Sequence, residues 1–113
     1  MSDAEIEAMI AFARERLLAG HEPSRRAMVR EMADRWPDAP ALSLVLALTD
    51  ASARIDATLD RWSDPRDAAR YGYRTAALVA CDVYAVEASG TCPATLRDLQ
   101  LYWRDRDPFF LEG

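Results

Sequence analysis

Apolar side chains recur along this chain every three or four residues, and clusters of glycine, proline and short polar residues interrupt the recurrence. That spacing is the period of a helix, not the period of two that marks a strand. Ile6, Met9, Ile10, Ala13 and Leu17 share one face of a first helix predicted over 3–19. Ser2 and Glu5 give it an S-x-x-E capping pattern, and Gly20 is placed to stop it. A second helix is predicted over 24–35 with Ser24 as its cap. Met28, Val29, Met32 and Trp36 point inward from it, and Arg26, Arg30 and Asp34 point outward. Trp36-Pro37-Asp38-Ala39-Pro40 ends the segment, because a residue before proline is pushed out of helical geometry.

The third helix is predicted over 40–62. Val45, Leu48, Ser52, Ile55, Leu59 and Trp62 alternate by three and four and form a seam for another helix. Leu42, Leu44 and Leu46 make its first two turns apolar nearly all round. Ser63-Asp64-Pro65 combines a capping residue with proline at a first helical position, which starts a fourth helix over 65–88. After Tyr73 the polar residues of that helix are Arg74, Thr75, Asp82 and Glu87. Gly72, Ala76 and Ala80 repeat every four residues, as do Ala77, Cys81 and Ala85, and small residues at that spacing let a neighbouring helix come close. Ser89-Gly90-Thr91-Cys92-Pro93 breaks the pattern. A fifth helix follows over 94–106, starting near Pro93 or Thr95, with Leu96, Leu99, Tyr102 and Trp103 on its apolar side. The remainder, 107–113, is a tail containing Phe109-Phe110-Leu111.

No segment alternates with period two, and no Asn-Gly or Asp-Gly hairpin turn is present. The expected fold class is therefore all-α, a single domain over 1–113 built as a bundle of about five helices. The short Trp62–Pro65 connection makes helices three and four a central antiparallel hairpin.

Composition narrows the function classes. The 113 residues are 50% hydrophobic, enough for one real core. The net charge of −5 argues against nucleic acid, where phosphate neutralisation supplies most non-specific affinity. All 14 basic residues are arginine, as the codon usage of a GC-rich bacterial genome would give. The first residues are acidic, with no apolar signal-peptide core, and no apolar run approaches a membrane span. A cytoplasmic protein is expected. Cys81, within an apolar run, is expected to pack as a small hydrophobe, and Cys92 to lie in a loop. A disulfide between them is not expected in a reducing compartment.

Candidate chemistry is sparse. His21 is the sole histidine, and the cysteines have no metal-ligand spacing, so no metal, cofactor or catalytic group is predicted. Asp82 interrupts an apolar run, and a lone buried carboxylate is costly. It is expected to face the polar strip of its helix or to pair with an arginine such as Arg74. Tyr71, Tyr73, Asp82 and Tyr84 are candidates to line a pocket between helices. Arg25, Arg26 and Arg30 belong to the one local basic excess and are candidates for anion binding. Tyr102, Trp103, Phe109 and Phe110 form an aromatic terminus that either folds back over the bundle or meets a partner, since aromatics are enriched at interaction hot spots.

These features favour a non-enzymatic regulatory or protein-interaction domain that self-associates as a homodimer through surplus apolar helix surface. The alternative is a helical DNA-binding domain that reads through the arginine-bearing second helix.

Overall fold

A computed structural model describes residues 3–19, 22–57 and 66–111. Five α-helices are present in that region: α1 (Asp3–Ala19), α2 (Glu22–Arg35), α3 (Ala41–Ala57), α4 (Arg66–Ala88) and α5 (Leu96–Asp105). A 3-10 turn, Pro108–Leu111, ends the described chain. No strand occurs among the described residues; Pro40 and Thr95 form an isolated bridge. The all-α bundle expected from the periodicity is the observed fold. Ser2, Gly20, His21 and residues 58–65, including Leu59, Trp62 and the Ser63-Asp64-Pro65 start signal, lie outside the described residues. The second helix begins at Glu22, so Ser24 sits inside its first turn and is not its cap.

The most extensive packing joins α3 to α4. Ser52 of α3 lies against Gly72 of α4, and one turn later Asp56 shares a surface pocket with Ala69. Sequence number rises on one helix as it falls on the other, so the pair is antiparallel. The predicted seam holds over the described part: Leu48, Ser52 and Ile55 are buried and Val45 is partly buried. At Gly72 the helices come close together. A Cβ there would overlap Ser52 Oγ and stand 3.0 Å from Leu17 Cδ1 of α1. Glycine is required at this point by the contact with two neighbouring helices.

Helix α1 lays Met9, Ile10, Ala13 and Leu17 onto the hairpin, and α2 contributes Met28, Val29 and Met32. Helix α5 is anchored by two devices. Thr95 and Asp98 form a reciprocal capping box. The N–H groups of Leu96 and Arg97 donate to the carbonyl oxygens of Ala39 and Pro37, both at 2.9 Å. The proline-rich turn after α2 thus satisfies the orphan donors that begin α5. Phe110 then folds back under α5, its ring 5.2 Å from that of Trp103.

Candidate interaction face and cationic cleft

Helix α4 presents three different surfaces, because 3.6 residues per turn distribute its side chains around the axis. Gly72, Ala76 and Val83 face α3. Ala77, Cys81, Tyr84 and Ala88 are exposed on the outer side of the hairpin. Tyr71, Thr75 and Leu78 border a cleft toward α2 and the 3-10 turn.

The outer side of the hairpin is the larger site. On α3, Leu42 is 62% exposed and Leu46 52% exposed. With Pro40, Ser43, Val45 and Thr49 they line a shallow apolar groove of about 540 Å³. Asp56 and Tyr73, both exposed, flank one pocket where the hairpin helices meet. Seven-residue steps from those two positions run through Thr49 and Leu42 on α3 and through Ala80 and Glu87 on α4. The two rows therefore continue side by side, with Ala80 and Glu87 half-buried and the Glu87 carboxylate accepting from the Ala94 N–H. Tyr84, 75% exposed, stands on the α4 row. From Leu42 to Thr49 no residue is charged, and between Arg74 and Glu87 the single charged residue, Asp82, is buried. Arg70 and Asp56 border one end of this face and Glu87 the other. Cys81 lies on it as an exposed free thiol, not packed in the core as its apolar neighbours suggested, because the α3 contact falls on the row of Gly72 and Ala76.

The cleft is smaller and chemically mixed. About 190 Å³ is enclosed by Arg25, Arg26 and Val29 of α2, by Tyr71, Arg74, Thr75 and Leu78 of α4, and by Phe109 and Phe110. Arg25 is 8% exposed and its guanidinium is fully engaged. Nε and Nη2 donate to the carbonyl of Leu17 at 3.2 and 3.0 Å, closing the end of α1, and Nη1 meets Asp67 at 2.7 Å. The guanidinium also lies 5.6 Å from the centre of the Tyr71 ring. Its hydrogen bond and charge hold the Asp67 carboxyl below the usual carboxylate range. Arg25 therefore acts as an internal tie and does not project outward as an anion-binding residue. Arg26 is exposed at the cleft mouth, and Arg30 is half-buried on the same helix and is not among the cleft's lining residues.

Asp82 has a partner that the sequence does not suggest. Trp103 Nε1 donates to its carboxylate at 2.9 Å, and both side chains are buried. Burial pushes the carboxyl upward, the Trp103 hydrogen bond opposes this, and the charge of Asp107 adds to the upward push. Arg74 lines the cleft instead. The four residues grouped as a pocket are dispersed: Tyr71 borders the cationic cleft, Tyr73 the pocket beside Asp56, Asp82 the interior and Tyr84 the open hairpin face. Of the aromatic terminus, Trp103 is fully buried and Phe110 is 5% exposed, so neither presents a free surface. Tyr102 is partly buried, and Phe109, half exposed, is the one that reaches solvent.

No group of three or more His, Cys, Asp or Glu side chains among the described residues could hold a metal ion. No helix among them is long and apolar enough to cross a membrane. Comparison with protein-family models, curated protein sequences and solved structures gives no match for this chain.

Proposed function

We propose that the protein is a small interaction domain that works as a homodimer, with the outer face of the α3–α4 hairpin as its interface. The observation that carries this reading is the charge-free surface bearing Leu42, Leu46 and Tyr84, each more than half exposed. Exposed apolar patches of this extent on soluble domains mark interaction sites.

The size of the face suits a second copy. The rows from Leu42 to Asp56 and from Tyr73 to Glu87 at 1.5 Å per residue give a length of about 22 Å, and two packed helices give a width of about 20 Å. That is roughly 450 Å² per copy before surface relief is counted, or about 900 Å² in a pair, the size of a weak interface. The charges at the ends fit as well. A two-fold axis through the middle of the face reverses its long axis, so Arg70 of one copy meets Glu87 of the other. Such an isologous pairing closes on itself as a four-helix layer and leaves no apolar patch free to propagate. The buried polar groups support a binding role over a chemical one, since Arg25, Asp82, Ser52 and Thr75 are each committed to holding the fold. Two exposed free thiols fit a reducing, cytoplasmic setting.

Sedimentation equilibrium tests the reading directly. The wild-type chain is expected to dimerise with a dissociation constant in the micromolar range, and Leu46→Glu to sediment as a monomer with unchanged helicity. Maleimide should label Cys81 faster in the Leu46→Glu monomer than in the dimer. A wild-type chain that stays monomeric at about 100 μM, where even a weak specific pair of −5 to −6 kcal/mol would be populated, overturns the proposal.

A further inference from the structure

We propose that the cleft between α2, α4 and the 3-10 turn is a binding site for a small aromatic carboxylate, a single ring carrying one carboxyl group. The cleft opens on the α2 side of α4 and the hairpin face on another side; Arg74 borders both the cleft and the pocket at one end of that face.

The chemistry of the lining specifies the ligand. In a protein with a net charge of −5, the cleft gathers Arg25, Arg26 and Arg74, and none of its lining residues among the described ones is a carboxylate. Arg25 is spent on Leu17 and Asp67. Arg26 and Arg74 make no hydrogen bond and no close ion pair to a described residue, and the Arg74 charge acts only at longer range on the Asp67 carboxyl. Both are exposed where they border the cleft. Two guanidinium forks beside one opening match a carboxylate, which each can engage through paired N–H groups. Besides Thr75, whose hydroxyl donates to the Tyr71 carbonyl, the rest of the wall is apolar or aromatic: Val29, Tyr71, Leu78, Phe109 and Phe110. Phe109 and Phe110 meet edge to face, 5.1 Å between centroids, which leaves the half-exposed Phe109 to offer its remaining ring surface at the cleft.

Volume sets the size. A dry cavity of about 150 Å³ accommodates benzene, so about 190 Å³ has room for one ring with a short substituent. The lining also separates this class from inorganic phosphate, which would leave the aromatic wall uncovered, and from a neutral arene, which would leave the guanidiniums unanswered. Arg25 acts here as a positioning residue. It ties α2 to the end of α1 and stacks near the Tyr71 ring, fixing the floor on which the other two arginines stand.

The test is titration of the full chain with sodium benzoate, followed by calorimetry and by aromatic chemical shifts. Saturable binding with a dissociation constant on the order of 1 mM or tighter is expected for a ligand of this size. The largest shift changes should fall on Tyr71 and Phe109. The double variant Arg26→Gln/Arg74→Gln, whose side chains are both exposed and outside the core, should bind at least about tenfold more weakly. Phe109→Ala should also weaken binding, whereas Arg30→Gln should leave it unchanged. Three results overturn the proposal: no saturation by about 20 mM benzoate, equal affinity in the double arginine variant, or equal affinity of the wild type for benzyl alcohol or inorganic phosphate.

Discussion

Gly72 offers the sharpest test of how the hairpin is held. Alanine in the middle of a helix is favoured over glycine by about 0.5–1 kcal/mol, so helix propensity alone predicts that Gly72→Ala stabilises α4. The packing predicts the reverse. The new methyl would overlap Ser52 Oγ, stand 3.2 Å from Ser52 Cβ and 3.0 Å from Leu17 Cδ1. Ser52 is fully buried and its hydroxyl donates to the carbonyl of Leu48 at 2.7 Å. It can swing away only by giving up that bond and pushing on α4. Overpacking of one methyl into a filled core costs about 1–3 kcal/mol, and the lost hydrogen bond about 1 kcal/mol. The net expectation for Gly72→Ala is therefore a destabilisation of about 1–3 kcal/mol, a fall in melting temperature of roughly 4–8 °C per kcal/mol in a domain of this size.

A double-mutant cycle isolates the contact. Ser52→Ala removes the Oγ that the methyl would strike and leaves the Leu48 carbonyl in its helical bond, so alone it should be nearly neutral. In the Ser52→Ala background Gly72→Ala should cost about 1–2 kcal/mol less than in the wild type. Urea unfolding of the four proteins, monitored by circular dichroism at one protein concentration, supplies the numbers. If Gly72→Ala is as stable as the wild type, or if the two substitutions are additive, the close approach of α3 and α4 at this point is not what holds the glycine in place.

Other expected outcomes follow from single contacts. Asp82→Ala should cost about 1–3 kcal/mol, because the buried Trp103 N–H loses its acceptor; Asp82→Asn keeps an acceptor there and should be at least as stable as the wild type at neutral pH. The Asp82 carboxyl is raised by burial, so its contribution is greatest when protonated and fades as pH rises from the usual carboxylate value through the raised one; Asp82→Asn should remove that decline from urea midpoints measured over about pH 3 to 7. Asp67 has the opposite sign: its carboxyl is lowered by Arg25, so its contribution is present above the usual value and lost as pH falls through the lowered one, though solvent screening keeps it small. Arg25→Leu should destabilise by about 1.5–3 kcal/mol, chiefly by uncapping the Leu17 carbonyl, as thermal melts would register. Thr95→Ala should cost about 1 kcal/mol through loss of the capping box, measurable by the same melts.

What local pattern can determine, it determined here. The three-four spacing of Ile6, Met9, Ile10, Ala13 and Leu17 identifies the buried face of α1, the prolines between Trp36 and Pro40 end α2, and the excess of leucines at 42 and 46 marks surface left over after the core is filled. Each of these depends on side chains within a turn or two of one another. Helix α4 escapes that logic: it is apolar or small on nearly every side from Ala76 to Val86, so its sequence does not say which side faces α3. The fold settles the orientation through Gly72, where α3 fits closely, and the rest of the helix follows from 3.6 residues per turn. Cys81 is thereby turned to solvent, Asp82 is turned toward Trp103 on α5, and Arg74 is turned toward Arg26 and Phe109. Those partners lie 21 to 48 residues apart in the chain, and a charge buried beside an indole or two arginines across a cleft come together only when separate helices dock.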